Sequence, residues 1–293
     1  MSISPRDGVV AARGLQFHYR RWSSAEAVAP TPIVLLHGLA SASRIWDLVA
    51  PQLATHGHTV TALDQRGHGE SEKPDTGYDF DTIVADDMLV LQSLTIERPV
   101  IVGHSWGAAV ALHYAVTYPH LITSLVLVDG AMNQLSARSD WTRERARKDL
   151  APPRFAGTPR EMFLSRVRSG PLGQQWTPEL EDIMLHIVQL RDDDTVAPRL
   201  DFENHLQIID AMWDQQTFRL YQEVQCPVTL IVAEQERIGE PWEGFRQARQ
   251  DGIAKIQTVC PQIRIIRLPD TIHDIPLQRP ARLAEEILHA LPR

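Results

Sequence analysis

Short, almost wholly apolar runs recur along this chain and alternate with longer segments of amphipathic helical pattern. Runs that are apolar at successive positions favour strands buried on both faces, as in a parallel sheet. The segments between them repeat apolar residues every three or four positions, which is typical of helices packed on a sheet. The pattern predicts a doubly wound α/β fold with a mostly parallel sheet. The runs are residues 32–38 (PIVLLHG), 59–64, 99–105, 121–130, 227–235 and 263–270, and residues 15–22 alternate like an edge strand.

The alternation stops between residues 131 and 225. Residues 177–190 and 204–224 have helical patterns, and no convincing strand is found in this stretch. A helical insertion between two strands is expected to cover the carboxyl ends of the sheet, where open α/β sheets bind ligands. We therefore expect an α/β core of residues 1–130 and 226–293 and a helical cap of residues 131–225. An independent helical domain is the alternative.

Composition excludes several classes of function. A formal net charge of -8 argues against a nucleic-acid partner, because phosphate binding needs a basic surface. Two cysteines, Cys226 and Cys260, make neither a disulfide framework nor a zinc pattern. Residues 1–14 lack a signal-peptide core, and no run approaches a membrane span. We expect a cytoplasmic protein without metal, cofactor or membrane partner, with the mixed-charge runs 138–148 and 190–195 as solvated helix faces.

A serine stands between two glycines where a predicted strand turns into a predicted helix. The motif Gly103-His104-Ser105-Trp106-Gly107 alone is weak, since chance supplies G-x-S-x-G in roughly one chain of this size in ten. Its context is stronger, because a nucleophile elbow requires a strand before the serine and a helix after it. The amino end of that helix would stabilise a developing oxyanion. The pattern predicts Ser105 as a nucleophile.

A serine hydroxyl needs a base that is held by a third group. The chain order that accompanies this elbow is serine, acid, histidine. His273 lies in the loop between the last predicted strand and the C-terminal helix, and we expect it to be the base. His104 and His68 stand in glycine-flanked turns, and His113 lies on the helix after the elbow, so all three are interpreted as structural.

Two carboxylates at strand ends satisfy the order required of the acid. Glu236 follows the run 227–235, and Asp129 ends the run 121–130. Either could orient the imidazole tautomer, and either could instead be a capping or turn residue. Glu236 is favoured, Asp129 is the alternative, and Glu234 and Asp274 are weaker candidates.

The loop His37-Gly38-Leu39 ends the first long apolar run. The backbone N–H of Leu39, together with that of Trp106 after the nucleophile, is expected to form a two-donor oxyanion hole. An ordinary turn at a strand end is the competing interpretation.

Four segments in this order resemble the α/β-hydrolase family over nearly the whole chain: HGLASASRIW (37–46), LDQRGHGES (63–71), GHSWG (103–107) and IHDIPLQRP (272–280). The resemblance implies an eight-stranded, mostly parallel sheet with a helical cap after the sixth strand. One segment departs from the family pattern. Where relatives commonly have glycine and, three residues later, aspartate, this chain has Ala233-Glu234-Gln235-Glu236. Some relatives use the position of Asp129 instead, so both acids stay open.

The residues together predict hydrolysis of a carboxylic ester or lactone of a small, largely apolar substrate, through an acyl-enzyme on Ser105. Serine at this position disfavours dehalogenases and epoxide hydrolases, which need a carboxylate nucleophile. A C–C bond hydrolase of ring-cleavage diketones, a cofactor-free perhydrolase and a ligand-binding receptor remain alternatives. The candidate pocket residues of the cap are Met132, Trp141, Phe155, Met162, Phe163, Met184, Met212 and Trp213.

Overall fold

A computed structural model of the chain describes residues 3–24, 31–234 and 242–292. The strands of this part are β1 (Arg6–Ala12), β2 (Leu15–Trp22), β3 (Ile33–Leu36), β4 (Val60–Leu63), β5 (Val100–His104), β6 (Ser124–Val128), β7 (Thr158–Pro159), β8 (Val188–Leu190), β9 (Thr195–Pro198), β10 (Val228–Glu234) and β11 (Arg264–Pro269). The helices are α1 (Ala50–Thr55), α2 (Phe80–Ser93), α3 (Trp106–Thr117), α4 (Arg143–Asp149), α5 (Arg160–Arg168), α6 (Pro178–Ile187), α7 (Phe202–Asp214), α8 (Thr217–Glu223), α9 (Trp242–Val259), α10 (Ile275–Gln278) and α11 (Pro280–Ala290).

Eight strands form one sheet in the order β1-β2-β4-β3-β5-β6-β10-β11. The pairs from β4 to β11 are parallel, and β2 is antiparallel to both of its neighbours. The sequence prediction of a doubly wound, mostly parallel eight-stranded sheet is thus confirmed. The insertion begins after β6, the sixth strand in the chain, since the next strand of this sheet is β10.

Each central strand buries both of its faces, which explains the continuous apolar runs. In β3, Ile33 and Leu35 pack into one core cluster while Val34 and Leu36 pack into the other. Helices α1 and α11 cover the face of Ile33 and Leu35, and helices α2 and α3 cover the opposite face of the sheet. Strands of this kind show no polar alternation because neither face meets water.

Two predictions for the amino-terminal third are corrected. Residues 15–22 are not an edge strand, because β2 pairs on both sides and the edge is β1. The amphipathic segment of residues 43–57, whose apolar spacing predicts one continuous helix, is a short 3-10 turn at Ser43–Trp46 followed by α1. Pro51 explains the break: it lacks an N–H, and its ring clashes with a preceding helical turn, so it is tolerated only near a helix start.

The insertion is not all helical, contrary to the sequence prediction. Strands β7, β9 and β8 form a small antiparallel sheet. The charged run at residues 190–195, interpreted as a helix face, is a hairpin turn in which the Arg191 N–H donates to the Thr195 carbonyl at 2.9 Å. These strands have two to four residues, too few for a periodic pattern. Helix α8, also inside the predicted cap, packs on α3 and α9 of the core.

Within the described residues, no helix combines the length and the apolar character needed to cross a bilayer.

Candidate active site

The serine of the G-x-S-x-G motif occupies the turn between β5 and α3. Ser105 has φ 56° and ψ -119°, a backbone conformation that side chains other than glycine rarely adopt. The flanking glycines allow this turn, because a Cβ on Gly103 would overlap the Gly107 carbonyl and a Cβ on Gly107 would overlap the His37 carbonyl oxygen. The turn therefore holds the serine hydroxyl at the carboxyl end of the sheet, ahead of the α3 amino terminus.

His273 lies against this serine, as the sequence predicts. Its Nε2 is 2.9 Å from the Ser105 Oγ, a hydrogen-bond distance. His273 follows β11 and precedes α10, and its loop is held because the Ile272 N–H donates to the Gln278 side chain at 2.7 Å. The His273 side chain is about half exposed, at 50%. The imidazole is thus both bonded to the serine and open to a substrate.

His104 has a supporting position that the sequence reasoning described only as structural. Its buried Nε2 is 2.9 Å from the backbone carbonyl of His273, to which it donates. Burial lowers the pKa of His104 to about 4, so the ring is neutral near pH 7. A neutral imidazole that holds the carbonyl of the base fixes the histidine loop without competing for protons.

The acid that contacts His273 is Asp129. Its Oδ2 is 2.7 Å from the His273 Nδ1. Strand register explains the contact: His104 pairs with Val128, so the residues that follow them, Ser105 and Asp129, stand side by side at the carboxyl end of the sheet. Glu236, which the sequence favoured, lies outside the described residues. Within the described residues, Asp129 is thus the hydrogen-bond partner of the imidazole Nδ1, and the role of Glu236 stays a prediction.

The weaker candidates are also accounted for. Glu234 ends β10 and pairs with Arg267 at 2.8 Å, on the outer strand of the sheet. Asp274 follows the base directly, and its charge helps to raise the pKa of His273. Neither carboxylate is bonded to the imidazole among the contacts of the described residues.

The ionisation of the pair follows from burial and charge. Desolvation lowers the pKa of His273, but the hydrogen bond and charge of Asp129 outweigh it, so this pKa lies above the ordinary 6.5. Burial raises the pKa of Asp129, yet the contacts with His273 and Arg249 outweigh burial, so that pKa lies below its ordinary value. The acid therefore remains a carboxylate that can stabilise an imidazolium.

The two amides expected to form the oxyanion hole flank the serine. A Cβ on Gly38 would stand 3.1 Å from the Ser105 Cβ, so the backbone just before Leu39 lies against the nucleophile. Within the described residues no acceptor is bonded to the Leu39 N–H. The Trp106 N–H is at the first position of α3, where an amide has no intrahelical acceptor. Both donors are thus available to a substrate oxygen, and their role stays a prediction.

Comparison with known proteins identifies the family of this arrangement. A family model described as the alpha/beta hydrolase fold matches residues 31–280. The chain belongs to this family.

Relatives of this chain are named for several different activities. The chain is 33% identical over 133 residues to a non-heme chloroperoxidase of Streptomyces lividans, and this match covers 45% of the chain and 47% of the relative. It is 36% identical over 116 residues to a soluble epoxide hydrolase of Corynebacterium sp. (strain C12), covering 40% and 38% of the two chains. Each of these matches spans less than half of the relative's length.

Among solved structures, the chain resembles a thioesterase domain from the curacin biosynthetic pathway. The TM-score is 0.75 at 24% identity, with 97% of this chain and 99% of that chain covered. At this identity the likeness concerns the fold. It extends over the insertion as well as the core, because nearly the whole of both chains is aligned.

Arg249 also belongs to the site, although no sequence motif indicates it. Arg249, on α9, donates to both oxygens of Asp129 at 2.6 and 3.1 Å. The Ala233 N–H donates to the same carboxylate at 2.8 Å. A single arginine on an amphipathic helix carries no sequence signal for such a contact, and only the packing of α9 reveals it.

The cap contributes an apolar surface near the predicted oxyanion loop. We name the side chains packed around Leu206 and Ile209 the cap cluster; its other members are Trp141, Ala146, Leu150, Ala151, Phe202 and Trp213. Leu39 packs against this cluster. Of the other pocket candidates, Phe155 and Phe163 stack on each other at 5.8 Å between ring centroids.

The described residues contain no group of three or more His, Cys, Asp or Glu side chains placed to hold a metal ion.

Proposed function

We propose that this hydrolase cleaves a carboxylic ester or lactone of a small, largely apolar substrate through an acyl-enzyme on Ser105. One observation carries the proposal. An unbroken chain of hydrogen bonds runs from the Ser105 Oγ to His273 at 2.9 Å and from His273 to Asp129 at 2.7 Å. This is the arrangement by which a base activates a serine hydroxyl and a carboxylate holds the base in the required tautomer.

The chemistry follows from these contacts. His273 takes the proton as the Ser105 Oγ attacks the carbonyl carbon, and the backbone N–H groups of Leu39 and Trp106 bind the oxyanion. The carbon–oxygen bond to the leaving alcohol then breaks, and the imidazolium returns its proton to that alcohol. Water, deprotonated by His273, attacks the acyl-enzyme and releases the acid. Asp129 stabilises the imidazolium in both halves of the cycle.

Serine at the elbow does not favour the activity for which the matched epoxide hydrolase is named. Opening an epoxide through a covalent alkyl ester requires a carboxylate nucleophile, which Ser105 does not supply. The acyl chemistry of a serine is therefore favoured over alkyl-transfer chemistry.

The cap cluster favours a substrate with an apolar acyl or alcohol group. Its aromatic and aliphatic side chains pack against Leu39, whose amide is one of the two proposed oxyanion donors. A carbonyl bound at that amide has apolar surface beside it, and burying an apolar group there would stabilise binding by about 0.8 kcal/mol for each CH₂.

The test is a panel of activated esters of increasing acyl length, lactones and vinylogous diketones, turned over by wild type and by Ser105→Ala. We expect ester or lactone turnover by the wild type and a loss of about 10⁴- to 10⁶-fold in the variant. Equal turnover by both proteins would contradict the role of Ser105. Preferential cleavage of the diketones would indicate a C–C bond hydrolase, and saturable ligand binding without turnover would indicate a receptor.

A perhydrolase is the second candidate, favoured by the match to a non-heme chloroperoxidase. In that reaction hydrogen peroxide replaces water as the acceptor, so that the acyl-enzyme on Ser105 is released as a peracid. The discriminating measurement is bromide oxidation in the presence of a carboxylic acid and hydrogen peroxide. Oxidation that depends on Ser105 and exceeds ester hydrolysis would favour this candidate.

A further inference from the structure

The carboxylate of Asp129 has all of its acceptor positions occupied. Oδ1 accepts from the Ala233 N–H at 2.8 Å and from Nη2 of Arg249 at 2.6 Å. Oδ2 accepts from Nη1 of Arg249 at 3.1 Å and from Nδ1 of His273 at 2.7 Å. Each carboxylate oxygen has two lone pairs, so the carboxylate is saturated by four donors. With three positions taken by Ala233 and Arg249, one lone pair is left for the imidazole.

The position of Arg249 is built into the packing of α9. A Cβ on Gly252 would overlap the backbone carbonyl oxygen of Met132, so α9 lies directly on the segment that follows Asp129. Arg249 is three residues before Gly252 and therefore on the same face of the helix. Its Nη2 also donates to the Ala233 carbonyl at 2.9 Å. The guanidinium thereby joins the ends of β6 and β10 below the imidazole.

A two-point arginine contact does two things to a carboxylate. The planar fork fixes the plane of the carboxyl group, which a point charge does not. Its positive charge also offsets part of the negative charge that His273 experiences. The Asp129 side chain is fully buried and that of Arg249 is 16% exposed, so water screens this charge little.

We propose that Arg249 is a positioning residue for the Asp129–His273 pair, orienting the carboxylate through its two-point contact and partly neutralising it. This inference rests on the proposed function, since it concerns how the base that serves Ser105 is held.

The inference predicts the direction of a pH effect. Among the described residues, the charges of Asp129 and Asp274 raise the pKa of His273 and the charge of Arg249 lowers it. His104 packs on the ring at 4.9 Å and is neutral near pH 7. Removing the arginine charge should therefore raise the pKa of His273. Because the serine reacts only when this imidazole is deprotonated, the pH at which its reactivity rises should move upward.

The experiment compares wild type with Arg249→Gln, which removes the charge, and Arg249→Lys, which keeps the charge but not the fork. Lys255→Gln is the matched control, because Lys255 is exposed on the same helix and outside the contacts of Asp129. Two readouts are followed against pH. One is the rate at which a fluorophosphonate labels Ser105, and the other is the NMR titration of the His273 imidazole, which needs no turnover.

We expect Arg249→Gln to raise both midpoints by about half a unit to one unit and to slow labelling at the plateau by about tenfold. Arg249→Lys should keep the wild-type midpoint and lose labelling rate, and Lys255→Gln should match wild type. Unchanged midpoint and rate in Arg249→Gln would overturn the inference. If that variant does not fold, a wild-type labelling rate in Arg249→Lys would overturn it instead.

The failure of the proposed function has a different signature. In that case Ser105 of the wild type would not be labelled at all, or labelling would persist in Ser105→Ala. The imidazole titration would still report whether Arg249 acts on His273.

Discussion

At the residue scale, a carboxylate becomes the partner of His273 by its position relative to the serine. Asp129 follows β6, which is paired with the strand that carries Ser105. Strand β10 lies beyond β6 in the sheet, one strand farther from the strand that carries Ser105. Asp129 reaches the imidazole with its own φ at 47°, in the left-handed region that few residues adopt. The contact thus depends on a local backbone conformation as well as on strand order.

A paired substitution tests this assignment. Asp129→Asn should lower kcat about 10⁴-fold, because an amide favours the wrong imidazole tautomer and cannot stabilise imidazolium. Glu236→Gln should change kcat by less than about threefold, since the imidazole Nδ1 is bonded to Asp129. Steady-state kinetics on an activated ester measures both. A large loss in Glu236→Gln with near-normal Asp129→Asn would restore the acid that the sequence favoured.

At the element scale, the site depends on how closely α3 can approach the strands beside it. The turn at Ser105 leaves no room for side chains at Gly103 and Gly107, whose added Cβ atoms would meet backbone atoms. Backbone cannot move aside as a flexible side chain can, so each glycine is required by a close approach. The short G-x-S-x-G motif is therefore a packing requirement as much as a catalytic one.

Gly107→Ala should consequently destabilise the protein by about 3 kcal/mol or more, since overpacking here acts on the backbone of β3. Urea unfolding followed by circular dichroism measures the change in the free energy of unfolding. The control is Thr117→Ala, an exposed position on the same helix, which should stay within about 0.5 kcal/mol of wild type. Equal stability of Gly107→Ala and wild type would contradict the close packing of α3 on β3.

At the scale of the whole molecule, the cap is seated on the core by polar contacts from α7. The buried Asn204 donates to the Pro74 carbonyl at 3.1 Å and to the Tyr78 hydroxyl at 2.9 Å. One turn further, Gln207 donates to the Asp75 carbonyl at 2.8 Å at the exposed side of the same loop. Helix α7, which carries four side chains of the cap cluster, is thereby fixed to the loop of residues 74–78.

Asn204→Ala should lower the free energy of unfolding by about 1–3 kcal/mol, because it removes two buried hydrogen bonds. It should also raise KM more than it lowers kcat, since the serine, the histidine and the aspartate all stand on the core. Gln207→Ala is the control, because it removes the exposed hydrogen bond of the same helix, and it should lower the free energy of unfolding by less than about 1 kcal/mol. Thermal unfolding and ester kinetics on both variants measure these effects. A kcat loss without a KM change in Asn204→Ala would contradict a role limited to seating the cap.

Much of this molecule could be predicted from local pattern. The buried strands were visible because both of their faces are apolar, and the elbow was visible because a strained turn needs small neighbours on each side of the serine. The hairpin in the insertion and the helix break at Pro51 were harder to predict. Strands of two to four residues have no measurable period, and a single proline interrupts an otherwise helical pattern.

The sequence by itself determined the fold class, the nucleophile candidate and the order of the residues around it, because these depend on periodicity and on residues near one another in the chain. Only the tertiary structure showed that Asp129 contacts His273 and that Arg249 contacts the same carboxylate. Both contacts are long-range, because His273 and Arg249 are each more than a hundred residues from Asp129 in the chain. Strand register and the close packing of α9 create them, and neither leaves a local pattern in the chain.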